Sequence, residues 1–314
     1  MSPAWRPFFV AMLACMVCGH WLFYYVFFPK AEVPRAAAVP RRPREWPASA
    51  TMAGAGMCGF RPRSRFAIAS VLFGSEEFRQ YAMALGASAA ARASVDFVLL
   101  TMNSSAMPLP WRACAVPGYR VPHPQFLKLL AWNMTEYEAV LVLDLDTLVL
   151  GDLSPLFEAW PGLLRKKNLT LAAAYDQPVH WSVRWTPSSE VRFNAGVMLV
   201  VPDRGTFEWL MQGLTTTMDW PTMMHEQGYL NRMFDIGGGQ QYAELSPIYN
   251  AMITTAYAEP YEWNRLIRAV GAGGGIRILH FTFPKPHLRD LCEEYLVEGI
   301  CALWPSAGRG PTTT

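Results

Sequence analysis

Several features are missing from this chain of 314 residues, and each absence removes a class of function. Charge of one sign is not in excess: 27 Lys and Arg stand against 25 Asp and Glu, a net +2, too balanced for a nucleic-acid footprint. There is no internal repeat and no heptad pattern, which removes solenoids and coiled coils. Of six cysteines, Cys15 and Cys18 fall in a long apolar run and no pair among Cys58, Cys114, Cys292 and Cys301 has zinc-finger spacing, so a structural zinc site is not expected. Asp, Glu, Lys and Arg are all absent from Pro7 to Phe28. About 20 apolar residues cross a bilayer, and the apolar core of a cleavable signal peptide is shorter, so this segment reads as an uncleaved transmembrane anchor.

The organisation follows from that anchor. Residues 1–6 form a short N-terminal tail, 7–28 the anchor, and 29–64 a Pro/Ala/Arg-rich stem or linker with no sustained apolar period. A folded unit is expected over 65–290, with a C-terminal tail over 291–314. Lys30, Arg35, Arg41, Arg42 and Arg44 follow the anchor and only Arg6 precedes it, which by the positive-inside tendency would leave the downstream side in the cytosol. Long domains translocate largely regardless of charge, so a luminal domain stays open. Sequons at Asn103, Asn133 and Asn168 permit glycosylation there. Cys15 and Cys18 belong to the anchor; Cys292 and Cys301 are candidates for a local disulfide, with free buried thiols as the alternative.

Within the folded unit, Phe66–Leu72, Val95–Thr101, Leu169–Tyr175, Gly196–Val201 and Ile276–Phe281 read as strands. Glu76–Ala91, Phe126–Tyr137, Thr206–Leu214 and Gly228–Phe234 read as helices, the second amphipathic through Phe126, Leu127, Leu130, Ala131 and Met134. Alternation of strand and helix predicts an α/β fold with a central, mostly parallel sheet flanked by helices. The run Val140–Leu150 carries two carboxylates, Asp144 and Asp146, in an otherwise apolar strand. Burying unpaired carboxylates is costly, so the pair points to a strand end where both reach a hard cation. Taken alone, Asp-x-Asp fits an acidic strand exit equally well.

Its companions give the pair a context. Phe126-Leu-Lys-Leu-Leu-Ala-Trp132, Tyr137 and Leu143–Val149 are followed in order by Phe193-Asn-Ala-Gly-Val197, Glu226-Gln-Gly-Tyr-Leu-Asn231, Ile248-Tyr-Asn250, and Leu279-His-Phe281 with Lys285-Pro286. Together these resemble the glycogenin-like glycosyltransferases of family 8. The resemblance implies a GT-A type nucleotide-diphospho-sugar transferase fold, a UDP-sugar donor, Mn2+ as the divalent metal, and transfer with retention at the anomeric carbon.

Carried onto this sequence, the resemblance implies that Asp144, Asp146 and His280 hold the metal, a donor set of carboxylates and imidazole that suits manganese. Lys285 would meet the diphosphate and Lys128 would lie near the donor. Asp176 would bond donor-sugar hydroxyls, with Asn194 and Ala195 lining the same pocket, although Phe193–Gly196 also reads as a tight turn. Gln227 would face the anomeric carbon, and Glu226 would orient the acceptor or stabilise positive charge. Phe78 falls where many members have a uracil-stacking Tyr. The closing motif departs from the family pattern: Phe283 occupies its glycine position, the His-to-Lys spacing is one residue shorter, and His287 follows Pro286. No self-glucosylating tyrosine is identifiable, so glycogenin function is not expected.

These features lead to a manganese-dependent retaining glycosyltransferase that moves a hexose or N-acetylhexosamine from a UDP-sugar to a glycan, lipid or protein acceptor. It would be a single-pass membrane protein of the Golgi or another secretory-pathway lumen, acting in glycan biosynthesis. The alternatives are a non-catalytic UDP-sugar or glycan-binding homologue, and a cytosol-facing transferase acting on a soluble protein.

Overall fold

The computed structural model describes residues 57–73, 76–102, 109–116, 121–176, 193–216, 225–234, 241–255, 263 and 275–282. The anchor expected over 7–28, Asn103, Cys292, Cys301, Phe283, Lys285, Pro286 and His287 lie outside these residues. Among the described residues no helix is long and apolar enough to cross a membrane.

Strand β1 (Phe66–Leu72) leads through helix α1 (Glu76–Ala90) to β2 (Asp96–Thr101) and β3 (Arg112–Ala115). A 3-10 segment, Pro124–Asn133, precedes β4 (Ala139–Leu143) and β5 (Thr147–Val149). Then follow α2 (Ser154–Lys166), β6 (Leu171–Tyr175), β7 (Phe193–Val200), α3 (Arg204–Thr216), α4 (His225–Phe234), β8 (Ala243–Glu244), β9 (Ala251–Met252) and β10 (Ile278–His280). Seven strands form one sheet in the order β3-β2-β1-β4-β7-β6-β8, and β5-β10-β9 form a second. In the large sheet β3, β2, β1 and β4 run parallel, β7 is antiparallel to both β4 and β6, and β8 is parallel to β6. This is the expected mostly parallel sheet with helices against it.

Alternation along the strands divides the core in two. Ile68, Leu141, Leu143 and Leu199 face α1, α2 and the small sheet, where they meet Leu85, Leu156 and Leu148. Ala67, Ala69, Val140, Val142 and Val200 face the other way, onto the 3-10 segment, α3 and α4. Burial on both faces explains why these strands read as continuous apolar runs.

Four expectations need correction. Val140–Leu150 is not one strand: β4 ends at Leu143, Asp144-Leu145-Asp146 crosses between sheets, and Thr147 opens β5. The segment expected as an amphipathic helix over 126–137 is a 3-10 segment whose residues Phe126 to Trp132 are all buried, because it is enclosed between the sheet and two helices. Phe193–Gly196 is the start of β7, not a turn. Finally, the linker expected to reach residue 64 ends earlier: Cys58 is disulfide-bonded to Cys114 of β3, the Arg112 guanidinium lies 3.8 Å over the Phe60 ring, and the Arg63 N–H donates to Asp96 at 2.7 Å.

Candidate active site

The large sheet converges on one edge. β4 and β6 both end there, at Leu143 and Tyr175, and antiparallel β7 begins there, with Leu143 opposite Val197 and Tyr175 opposite Phe193. Ligands of open α/β sheets bind outside the carboxyl ends of strands. The Asp144 N–H donates to the Gly196 carbonyl at 2.8 Å, and the Phe281 N–H donates to the Asp146 carbonyl at 2.8 Å, so each aspartate is held by backbone of a different sheet. β10 pairs with β5, placing His280 opposite Thr147. The result is a group of Asp144, Asp146 and His280 whose ligand atoms lie within 4.8 Å of one another. The His280 Nε2 is 3.4 Å from Asp146 Oδ1.

Lys128 lies beneath this group, 2% exposed. Its Nζ donates to Asp144 at 2.6 Å, to Glu226 at 2.5 Å and to the Ala195 carbonyl at 3.2 Å, which uses all three ammonium hydrogens. Burial pulls its pKa down, but the charges of Asp144 and Glu226 outweigh that and hold it above the ordinary lysine value.

A network of amides covers the opposite side. The His280 Nδ1 is 2.9 Å from Asn250 Oδ1; Asn250 donates to Asn194 Oδ1 at 3.0 Å, and Asn194 donates to Asp176 at 3.1 Å. Gln227 donates to the other Asp176 oxygen at 2.9 Å and accepts from the Ala195 N–H at 2.9 Å. Burial pushes the Asp176 carboxyl above its usual value, opposed by the bonds from Asn194 and Gln227 and by His280.

Two residues hold this floor in shape. Asn231 of α4 accepts from the Phe193 N–H at 2.8 Å and donates to the Phe193 carbonyl at 2.8 Å, replacing a strand partner where β7 begins. Gly196 is required for space: a Cβ there would overlap the His280 ring.

Beyond the acidic group, Phe73, the residue after β1, stacks on Phe78 of α1 with centroids 5.3 Å apart and meets His123 edge-on at 5.5 Å. His123 stacks in turn on His225 at 4.1 Å.

The family model of glycosyl transferase family 8 matches residues 120–284, more than half of the chain and all of the acidic group. The chain belongs to glycosyl transferase family 8. Its curated relatives include galactinol synthase 7 of Arabidopsis thaliana, 29% identical over 151 residues, covering 43% of this chain and 44% of that protein. Another is glucose N-acetyltransferase 1 of Gibberella zeae, 28% identical over 195 residues, 60% of this chain and 38% of that one. The chain thus spans less than half the length of these relatives. Similar solved structures include the apo form of the glycosyltransferase GlyE of Streptococcus pneumoniae TIGR4, at TM-score 0.49, 21% identity, 73% of this chain and 59% of that one. A galactosyltransferase, LgtC, in complex with donor and acceptor sugar analogues, matches at TM-score 0.46 and 17% identity, over 76% of this chain and 92% of that one.

Most of the family 8 positions read from the sequence meet at this edge: Lys128, Asp144, Asp146, Asp176, Asn194, Ala195, Glu226, Gln227 and His280. Their settings differ from expectation in two places. Lys128 is enclosed rather than turned to a ligand, and Glu226, 3% exposed, faces Lys128 rather than an acceptor. Phe78 sits in the aromatic cluster, half-buried against Phe73 and Tyr81. Sequence reasoning gave no role to Asn250 or Asn231, although both close matched elements, and it missed the Cys58–Cys114 pair, since spacing does not reveal connectivity.

Proposed function

We propose that the chain is a manganese-dependent retaining glycosyltransferase that moves a hexose or N-acetylhexosamine from a UDP-sugar to a glycan, lipid or protein acceptor. In this reading the N-terminal anchor holds it in the membrane and its folded unit acts in glycan biosynthesis in the Golgi or another secretory-pathway lumen. One observation carries the reading: Asp144, Asp146, Asp176 and Glu226 converge on one edge with Lys128 as their buried counter-ion. Lys128 brings one positive charge to these four carboxylates, and a divalent cation would offset part of the excess. Two carboxylates and an imidazole form a donor set that manganese accepts readily.

When bound, such a cation neutralises a diphosphate and acts as a Lewis acid on the leaving group. The chain's own residues supply the rest. Asp144, Asp146 and His280 hold the cation. Asp176 accepts from donor-sugar hydroxyls. Gln227 has both ends of its amide engaged, its oxygen by the Ala195 N–H and its nitrogen by Asp176, so it shapes the pocket rather than attacking the anomeric carbon. That arrangement favours departure and attack on one face through an oxocarbenium-like ion pair.

The Cys58–Cys114 disulfide supports the luminal assignment, because such bonds persist in oxidising compartments. It weighs against a cytosol-facing transferase. Asn168, exposed after α2, carries a sequon open to test. Full-length protein in detergent, screened against UDP-sugars, is expected to release UDP with at least one donor only when manganese is present. Binding of UDP-sugars without release from any of them would replace this reading with that of a non-catalytic homologue. In cells, glycosidase treatment should increase the mobility of the wild type but not of a variant lacking the three sequons; an unshifted wild type would reverse the topology.

A further inference from the structure

Which way an amide points is decided by neighbours whose roles are fixed, and here backbone N–H groups fix them. The Gly196 N–H can only donate, and it lies 2.9 Å from Asn194 Oδ1, so that atom is an acceptor. The Asn250 group facing the same oxygen at 3.0 Å is therefore the NH2. Its other atom is then the carbonyl oxygen, and it faces His280 Nδ1 at 2.9 Å. An oxygen there requires Nδ1 to carry the proton, which leaves the lone pair of neutral His280 on Nε2, the nitrogen turned toward Asp146. The sense of every bond follows from one backbone amide of β7, passed through two asparagines.

We propose that Asn250 is a positioning residue for this site: it fixes His280 as the Nδ1–H tautomer and holds its ring so that Nε2 is presented to the cation. The inference rests on the manganese reading above. Asn250 is 1% exposed and precedes β9, which pairs with the His280 strand, so its amide and the imidazole are set by one strand register. The Gly196 backbone completes the seat, leaving room for the ring where any Cβ would intrude. Partners of this kind govern metal affinity by orienting the ligand and raising its basicity.

The test is manganese binding to the full-length chain, followed by loss of the free-ion paramagnetic resonance signal. N250L removes the acceptor at similar volume and is expected to weaken binding about tenfold to a hundredfold. N250D keeps an acceptor for the Nδ1 proton but sets its other oxygen against Asn194 Oδ1, so it is expected to bind more weakly than wild type and several-fold more tightly than N250L. Equal binding by N250L, or equal loss in N250D and N250L, would overturn the proposal while leaving the metal site standing. Failure of the wild type to bind manganese would overturn the manganese reading itself. Without recourse to the Asn250 variants, nitrogen-15 resonances of histidine-labelled, metal-free wild type at pH about 8 report the tautomer of the neutral ring. His280, assigned by its loss in H280Q, should show a protonated Nδ1 and an unprotonated Nε2; the reverse would sink the idea.

Discussion

The two edges of the large sheet both bury carboxylates, and they do so in opposite ways. At the amino end of β2, Asp96 is 5% exposed, and one of its oxygens accepts from the Arg63 N–H at 2.7 Å, the Tyr137 hydroxyl at 3.1 Å and the Ser64 N–H at 3.4 Å. These are neutral donors, drawn inward to satisfy a single charge. At the carboxyl end, four carboxylates gather around Lys128 and a set of amides. Burial alone therefore does not mark the site. What marks it is the gathering of four carboxylates beside a single ammonium, that of Lys128.

That contrast can be broken from either side. The largest effect is expected at Asp146: D146N should lower turnover by about three orders of magnitude, the equivalent of several kcal/mol of Lewis-acid stabilisation, while the melting temperature measured without metal stays near that of metal-free wild type. Unchanged turnover would remove Asp146 from the metal set. K128M should cost about 3–5 kcal/mol in denaturant unfolding, because Asp144 and Glu226 lose their shared cation in a largely buried setting. A near-neutral result would mean that the carboxylate edge tolerates its own repulsion.

At the quiet edge, D96N should cost about 1–3 kcal/mol and leave turnover intact, since what it loses is charge-assisted hydrogen bonding. A fall in turnover without a fall in stability would show that the two edges communicate. The smallest effect concerns pH. Burial, and next the charge of Asp96, push the Tyr137 phenol above its usual range. The unfolded chain then ionises first, so this contribution is complete below about pH 10 and is lost as pH rises toward the folded value. Y137F should remove that component of alkaline destabilisation, and identical pH profiles would refute it.

Much of the carboxylate edge was legible in the sequence because its residues are chemically out of place: Asp144 and Asp146 interrupt Val and Leu, and His280 closes an apolar strand. β1 and β2 were legible as short apolar runs, and α1 through its apolar spacing. The break between β4 and β5 was not, because Val and Leu continue on both sides of it and only pairing partners distinguish the two strands. β3 is four residues long and has no alternating signal, while Pro161 and Gly162 disguise α2. Lys128 read as a residue near the donor, and nothing local shows that two helices and a sheet enclose its segment. Asn250 is an ordinary amide in sequence; its role depends on Asn194 and Gly196, more than 50 residues away in the chain.

The passage of the chain from one sheet to the other through Asp144-Leu145-Asp146 has a thermodynamic side. Asp144 is tied by its N–H to Gly196 of the large sheet, while the Asp146 carbonyl accepts from the Phe281 N–H beside His280 of the small one. A cation shared by the three is therefore a fastener across the seam, and the free energy of its binding is also free energy of assembly. At a hundredfold excess over its dissociation constant, such a ligand raises the stability of the bound fold by about 2.7 kcal/mol. The seam would then be firm when loaded and loose when empty, so that occupancy is felt by both sheets at once.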